Sequence, residues 1–470
     1  MVTFGAALLV FTRLDLRSFW LDEAYTASTI DRSFADLVAL TWRDEGYQIL
    51  HQLVLWPVGQ LSLAETWLRL PSAMAYVVTI PFLAVIGRRH FDATVGLIAA
   101  SVYALNGFAI VLAQEARSYP FVALAALLSF DGFLRARNGE STWRWVGWAT
   151  IAVWFHGFAI FAVAAPVLTL VAGVFRDPFQ RRRWVPPLVA FGALVAIPLW
   201  LPWSHTDVSN DYAFLADLSI ATVRDVVFTL FGRSGVAVIV VAGAVAAGVV
   251  AACRRRDVAV TAATAMAVFP ALALCLLSLI DPVLLDRYLA ASLPAIALLA
   301  AYGTVRATPN SLAPLLCAAL LIGSTFGAAR AVSRPELEDW REVVHTLAIE
   351  AEAGDALLVS VDEELVALEY YRPRFTGLET IDLAWPDAQW GSFATGDQGP
   401  TPLDDATAVA AVTGDPGPAR IWIVDAKAAT GRVDQIVETI VQSSDGYGRL
   451  AEYRFDGIRV VLLGRLVAAG

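Results

Sequence analysis

The chain has 470 residues, of which 57% are hydrophobic and 17% are charged, and its mean hydropathy is +0.60. These values exclude an ordinary soluble globular protein and predict an integral membrane protein. The net charge of −10 comes from the tail, since Asp and Glu outnumber Arg and Lys by 24 to 11 after residue 330, so we expect no nucleic acid partner. Its three cysteines lie in or beside apolar runs, which leaves neither a disulfide framework nor the ligand spacing of a zinc site.

Long apolar segments recur through the first 330 residues. At about 20 residues for each crossing of the bilayer, the pattern predicts eleven membrane spans, several of them short. They lie at residues 2–14, 68–87, 93–112, 120–134, 143–155, 157–175, 184–203, 235–253, 258–280, 288–305 and 311–329. The apolar segment at residues 47–61 is a twelfth candidate.

Arginines are distributed unevenly over the loops between these segments. Short cytoplasmic loops of membrane proteins are rich in Arg and Lys. With eleven spans and a cytoplasmic N-terminus, one side collects Arg88-Arg89, Arg135 with Arg137, Arg176 with Arg181-Arg182-Arg183, Arg254-Arg255-Arg256, and Arg306. A crossing at residues 47–61 would invert the later loops, so we interpret that segment as a helix at the outer surface. The pattern predicts a multi-pass membrane protein. Lys427 is the only lysine against 33 arginines, a bias typical of GC-rich bacteria, which indicates the bacterial cell (inner) membrane.

Residues 331–470 change to the pattern of a soluble α/β domain. An amphipathic helix is predicted near residues 335–353, and apolar strands at 356–361, 421–424 and 458–463. Residues 385–418 are rich in Gly, Pro and Asp, which favours a long loop. Because the number of spans is odd, this domain is expected to be extracytoplasmic.

The predicted fold class is therefore mainly α: a polytopic membrane protein with about eleven transmembrane helices and a small C-terminal α/β extracytoplasmic domain. Residues 1–330 form the membrane module, and its first outer loop, residues 15–67, carries surface helices. Residues 331–470 form the exported domain.

The predicted outer side also collects most of the unusual polar groups. Ionisable groups at bilayer depth are costly and usually face a polar cavity or one another, so their convergence on one side indicates a site. Taken singly, each has a simpler explanation, such as a helix cap for Asp22 and Glu23 or an interfacial anchor for Arg287. The candidates are Asp22, Glu23, Asp44, Glu45, His51, Glu115, Arg117, Tyr119, His156, Asp286, Arg287 and Tyr288.

Several candidates fall in motifs that follow the order found in a known family. The motifs are SFWLDEAY (residues 18–25), LRLPSA (68–73), GRRHF (87–91), QEARSYPF (114–121), the His156 turn and DRYLAASLPA (286–295), with weaker matches at DWREVV (339–344) and GDALLV (354–359). With this set the chain resembles the bacterial relatives of the protein O-mannosyltransferases and aminoarabinose transferases. These are membrane glycosyltransferases of the GT-C fold, in glycosyltransferase family 39.

One segment departs from the family pattern. Many relatives carry a Pro-Pro pair, with His or Asn upstream, before the surface helix, whereas this chain has Tyr47-Gln48-Ile49-Leu50-His51. Acceptor handling or entry into the helix is therefore expected to differ.

The resemblance implies an enzyme that moves a sugar from a polyprenyl-phosphate donor to an acceptor at the extracytoplasmic face, with inversion. The sugar, a hexose or a pentose, and the acceptor, a lipid, a polysaccharide or a protein, stay open. Asp22 is the expected base for the acceptor hydroxyl, and Glu23 is expected to orient the site or to hold a cation. Membrane lipids are the surrounding partners.

The same resemblance implies a binding site for the donor phosphate. Arg117 and Arg287 suit it because the guanidinium fork binds two oxygens while charge develops on the leaving group. His156, Tyr119 and Tyr288 are expected to bind the same phosphate. A divalent metal ion, held by Glu23 or His156, is the further cofactor candidate, although the spacing identifies no metal. Asp44, Glu45, His51, Glu115 and Asp286 are additional candidates.

The alternative function is a transporter or flippase of a lipid-linked or small polar substrate. Secondary transporters tend to have internal repeats, broken helices and charges near the bilayer midplane. Here the apolar runs hold few interior charges and the polar groups lie towards one boundary, which favours the transferase. A membrane-anchored sensor is a third class, but such a protein needs only one or two spans.

Overall fold

The computed structural model describes residues 1–43, 48–170, 176–204, 217–255, 257–309, 311–334, 337–375, 381–385, 403–412, 417–426, 432–443 and 446–465. The chain divides into two compact units. The first, here called the membrane unit, comprises Met1–Leu14 and Phe34–Arg334, and the second, the C-terminal unit, comprises Asp15–Ser33 and Pro335–Gly470. The segment 15–33, which we predicted as part of an outer loop of the membrane module, thus groups with the C-terminal unit.

The membrane unit is built of helices. A 3-10 helix, Asp286–Ser292, leads into one of them. Within the described residues every predicted span has a helix at its place, and the Trp143–Phe155 helix has the predicted bounds. Residues 171–175 of the span predicted at 157–175 lie outside the described part of the chain. The helices are Val2–Phe11, Phe34–Arg43, Ile49–Gly59, Glu65–His90, Ala93–Ala104, Gly107–Ala113, Tyr119–Arg137, Trp143–Phe155, Ala159–Leu168, Pro178–Ser204, Ile220–Leu230, Gly235–Arg255, Val258–Leu277, Leu293–Arg306 and Ala313–Val332.

Seven helical segments among the described residues are long and apolar enough to cross a bilayer. They are Glu65–His90, Tyr119–Arg137, Pro178–Leu201, Gly235–Arg254, Val258–Leu277, Asp286–Arg306 and Ala313–Val332. Ala93–Ala104 and Gly107–Ala113 meet the same criteria only as a pair, which is bent by 61°. Val2–Phe11 and Ala159–Leu168 are shorter apolar helices, so the count of eleven spans stays a prediction.

Asn106 lies at the bend in this helix pair. Its Oδ1 accepts a hydrogen bond from the backbone N–H of Ala109 at 2.9 Å, and its Nδ2 donates to the carbonyl oxygen of Leu230 at 2.9 Å. Gly107 lies so close to Gly327 that an added Cβ would overlap the carbonyl oxygen of Gly327. Small residues allow helices in membranes to approach this closely, so packing fixes the bend.

The C-terminal unit contains a five-stranded sheet with the order β2-β1-β3-β5-β4. β1 pairs in parallel with β2 and β3, whereas β5 is antiparallel to β3 and β4. The strands are β1 (Ala356–Val359), β2 (Asp382–Trp385), β3 (Arg420–Asp425), β4 (Tyr447–Arg454) and β5 (Arg459–Arg465), and the helices are Leu21–Ile30, Trp340–Glu350, Glu364–Tyr371, Asp405–Val412 and Arg432–Ser443.

The predicted strands are confirmed as β1, β3 and β5, and the amphipathic helix as Trp340–Glu350. β2 and β4 were missed. The prediction of a loop at residues 385–418 was wrong for Asp405–Val412, which is a helix, while residues 386–402 and 413–416 lie outside the described part of the chain.

Candidate functional site

The turn between the helices Gly107–Ala113 and Tyr119–Arg137 carries the first candidates. We predicted an outer loop here, but residues 114–118 are all buried. The hydroxyl of Ser72 donates a hydrogen bond to the carbonyl oxygen of Arg117 at 2.8 Å and so anchors the turn. A guanidinium held this deep in the protein requires acceptors or a counter-charge nearby, which makes this turn the start of a polar site.

His156 lies buried directly after the Trp143–Phe155 helix. Its Nδ1 accepts a hydrogen bond from the backbone N–H of Phe158 at 3.3 Å, so the proton of a neutral ring is on Nε2. The centroid of the imidazole is 5.5 Å from the ring of Tyr119 and 5.0 Å from the ring of Tyr288. Three predicted site residues from distant parts of the sequence therefore meet.

Both predicted phosphate-binding arginines lie near this imidazole. Arg117 and Arg287 each act on His156 electrostatically. Two guanidiniums near one buried ring give this part of the unit a positive potential, which attracts anions. We call Arg117, Tyr119, His156, Arg287 and Tyr288 the polar cluster, and its chemistry suits an anionic ligand.

His51 and Gln48 extend the polar cluster. His51, on the Ile49–Gly59 helix, is fully buried, acts electrostatically with Arg117 and His156, and has its ring centroid 6.2 Å from that of Phe121. The Oε1 atom of Gln48 accepts a hydrogen bond from the hydroxyl of Ser118 at 3.2 Å. The sequence pattern did not indicate Gln48, because a single amide before a helix resembles an ordinary turn residue.

Two other candidate carboxylates in the membrane unit are paired with arginines. Glu115 lies 3.5 Å from the guanidinium of Arg334. Asp286 lies 3.7 Å from Arg233, and it accepts a hydrogen bond from the backbone N–H of Arg287 at 2.7 Å. The pair of Glu115 with Arg334 joins residues that are 219 positions apart in the sequence. Asp44 and Glu45 lie outside the described residues.

Asp22 and Glu23 are in the C-terminal unit, on the first turn of the Leu21–Ile30 helix, here called the Asp22 helix. Asp22 is half-buried and Glu23 is buried. Carboxylates in the first turn of a helix interact favourably with the helix dipole.

No group of three or more His, Cys, Asp or Glu within the described residues is arranged to hold a metal ion. Neither Glu23 nor His156, the two suggested ligands, belongs to such a group among those residues.

No protein-family model and no curated protein matches the sequence of the chain. Solved structures match its fold. ArnT from Cupriavidus metallidurans in the apo state matches with a TM-score of 0.60 and 14% identity over 98% of this chain and 97% of that chain. The same protein bound to undecaprenyl phosphate gives a TM-score of 0.58 and 14% identity over 100% and 98%.

A second protein shares the fold at lower similarity. The archaeal oligosaccharyltransferase AglB from Archaeoglobus fulgidus, in complex with an inhibitory peptide and a dolichol-phosphate, gives a TM-score of 0.52 and 12% identity over 98% of this chain and 73% of that chain. At such identities the likeness shows the fold alone. The chain has the GT-C fold that its motifs predicted.

Proposed function

We propose that the chain is a membrane glycosyltransferase that transfers a sugar from a polyprenyl-phosphate donor to an acceptor at the extracytoplasmic face of a bacterial cell membrane. The observation that carries this proposal is that Arg117 and Arg287 both lie near enough to His156 to act on it electrostatically, with Tyr119 and Tyr288 against the same ring. The fold shared with ArnT, which has been solved with undecaprenyl phosphate, supports a lipid phosphate as the anion.

The two arginines bind the donor phosphate in this proposal. A phosphodiester carries one negative charge in the substrate and gains a second when the sugar leaves, so two guanidiniums stabilise the leaving group more than the bound substrate. His156 donates its Nε2–H to a phosphate oxygen, and the two tyrosine hydroxyls supply further donors.

The acceptor hydroxyl attacks the anomeric carbon of the sugar from the face opposite the phosphate. The new C–O bond forms as the bond to the phosphate oxygen breaks, polyprenyl phosphate leaves, and the anomeric configuration is inverted. Asp22 takes the hydroxyl proton, and Glu23 orients the helix that carries it. The assignment of Asp22 rests on the SFWLDEAY motif.

The transporter alternative draws support from one feature, the broken helix pair at Asn106. Transporters use such breaks to expose backbone groups to substrates or ions. Here the side chain of Asn106 and the carbonyl oxygen of Leu230 already pair with each other, and the break is packed against Gly327. The break therefore serves packing, and the transferase remains the function that we propose.

The direct test supplies the purified protein with undecaprenyl-phosphate donors that carry hexoses or pentoses, together with lipid, polysaccharide and peptide acceptors. We expect release of undecaprenyl phosphate and glycosylation of one acceptor class. Uptake of a solute into sealed vesicles without any sugar transfer would support the transporter instead.

A further inference from the structure

Two side chains beside the polar cluster have buried polar atoms with no hydrogen-bond partner in the described structure. They are both ring nitrogens of His51 and the Nε2 atom of Gln48, and both residues are fully buried. Native proteins pair nearly all buried polar groups with protein, water or ligand. Three such atoms on two neighbouring residues, near Arg117, therefore indicate a ligand that forms hydrogen bonds with them.

The donors and acceptors that His51 and Gln48 have left restrict the chemistry of this ligand. Gln48 already uses its Oε1 to accept from Ser118, so its amide nitrogen remains as a donor. A second proton on His51 would place a buried cation beside Arg117, so the ring is neutral, with one N–H donor and one bare nitrogen acceptor. The pair offers two donor groups, the amide NH2 of Gln48 and the ring N–H of His51, and one acceptor, the bare ring nitrogen.

A phosphodiester accepts hydrogen bonds and has no proton to donate, so it leaves the bare nitrogen of His51 unsatisfied. A sugar hydroxyl both donates and accepts, and neighbouring hydroxyls on one ring match the mixed set of His51 and Gln48. Phe121, whose ring lies 6.2 Å from that of His51, adds an apolar surface of the kind that packs on the C–H groups of a sugar.

We infer that His51 and Gln48 bind hydroxyl groups of the transferred sugar, next to the phosphate held by Arg117. The inference rests on the proposed function and adds to it a sugar-recognition site in the segment where this chain departs from its family. It also predicts that these two residues contribute to the choice of sugar.

The test measures the affinity of the detergent-solubilised protein for undecaprenyl phosphate and for undecaprenyl-phosphate-linked mannose, glucose and arabinose. The variants are His51→Phe and Gln48→Leu, and the control is Thr150→Val, which removes another buried oxygen without a partner in the described structure. For the sugar that the wild type binds more tightly than the bare lipid, we expect each of the first two to lose about tenfold in affinity. We expect the affinity of His51→Phe and Gln48→Leu for undecaprenyl phosphate to stay within about twofold of the wild-type value. The affinities of Thr150→Val for both kinds of lipid should stay within the same limit.

The outcomes separate this inference from the proposed function. Equal losses for both lipids in His51→Phe would make His51 a phosphate ligand, and unchanged affinities would mean that a structural water satisfies it; either result overturns the inference. So does a wild type that binds the bare lipid as tightly as every sugar-linked one. A wild type that binds none of these lipids rejects the proposed function itself. If His51→Phe does not fold, Gln48→Leu tests the same inference by the same comparison of affinities. His51→Gln, which keeps a donor and an acceptor, is expected to retain most of the affinity for the sugar-linked lipid.

Discussion

The Oε2 atom of Glu338 accepts a hydrogen bond from the backbone N–H of Leu21 at 2.8 Å, across 317 positions of sequence. Leu21 is the first residue of the Asp22 helix, and its N-cap residue, Trp20, makes no side-chain capping bond. The same part of the chain is held by Ser18, whose hydroxyl donates to the carbonyl oxygen of Glu338 at 2.6 Å, and by the hydroxyl of Tyr371, which accepts from the backbone N–H of Phe19. The carboxylate of Glu338, which is distant in the sequence, thus replaces a local capping side chain at the start of this helix.

We expect Glu338→Ala to loosen the Asp22 helix. Loss of a helix cap costs about 0.5–2 kcal/mol, and here the backbone N–H of Leu21 also loses its acceptor. If Asp22 is the base, turnover falls by about tenfold or more while the KM for the lipid donor is unchanged. The control is Glu352→Gln, which removes a carboxylate of the same unit that pairs with Arg420. Equal turnover in the two variants would contradict a positioning role for Glu338.

Replacement of Asp22 by Asn tests the assignment of the base. Asn has nearly the same shape but cannot accept a proton, so Asp22→Asn is expected to lose about 10²- to 10⁴-fold in transfer rate. The protein should still bind undecaprenyl phosphate with wild-type affinity. Glu23→Gln is expected to have a milder effect if Glu23 only orients the helix. Near-normal turnover of Asp22→Asn with saturating substrates would leave helix capping as the role of this carboxylate.

The two arginines of the polar cluster allow a test of phosphate binding. Lys keeps the positive charge but loses the two-pronged geometry, so Arg117→Lys and Arg287→Lys should each weaken binding of undecaprenyl phosphate by about tenfold. Arg224→Lys is the matched control, because Arg224 is exposed and pairs with its neighbour Asp225. Affinities equal to that of the control in both variants would mean that Arg117 and Arg287 do not bind the phosphate.

The positions of the helices could be predicted because long apolar runs must be buried in lipid or protein. The positions of β1, β3 and β5 could be predicted because each strand contains a continuous apolar run. β4 was missed since its sequence, Tyr447–Arg454, is largely polar. The grouping of the Asp22 helix with the C-terminal unit was also missed, because it depends on contacts such as Glu338 with Leu21, which no local pattern records.

The same limit applies to the candidate site. The motifs indicated Arg117, His156 and Tyr288 as separate candidates. The structure shows that Arg117 and Tyr288 both lie near His156. The involvement of Gln48 could not be predicted, because an amide becomes informative only when the structure shows it buried against Ser118.

The proposed orientation has its own test. A reporter that is active only outside the cytoplasm, fused after Gly470, is expected to be active, because the arginine clusters and the predicted odd number of spans favour an extracytoplasmic C-terminus. A fusion within the loop at Arg137–Gly139 serves as the control and should be inactive. The reverse pattern would reject the proposed face of the reaction.

A buried carboxyl group in the C-terminal unit predicts a pH-dependent stability. Burial, together with the neighbouring carboxylates of Asp425 and Glu338, raises the pKa of Glu364 to about 8, against the hydrogen bond from the backbone N–H of Ala426, which lowers it. The hydroxyl of Ser360 lies 2.9 Å from both Glu364 Oε1 and Asp425 Oδ1, and its one proton cannot serve both. A protonated Glu364 can donate to Ser360, which then donates to Asp425.

The folded unit therefore holds a proton on Glu364 that the unfolded chain, with an ordinary value of 4.5, releases. This proton stabilises the folded unit fully below about pH 4.5. As the pH rises to about 8 the stabilisation is lost, and the free energy of unfolding falls by a few kcal/mol in total. We expect hydrogen exchange at β1 and β3 in the full-length protein, corrected for intrinsic rates, to show opening free energies that fall between pH 5 and 8. Glu364→Gln cannot ionise and should flatten this slope, whereas Glu350→Gln, which changes an exposed carboxylate, should keep it. A slope in Glu364→Gln equal to that of the wild type would mean that another group titrates.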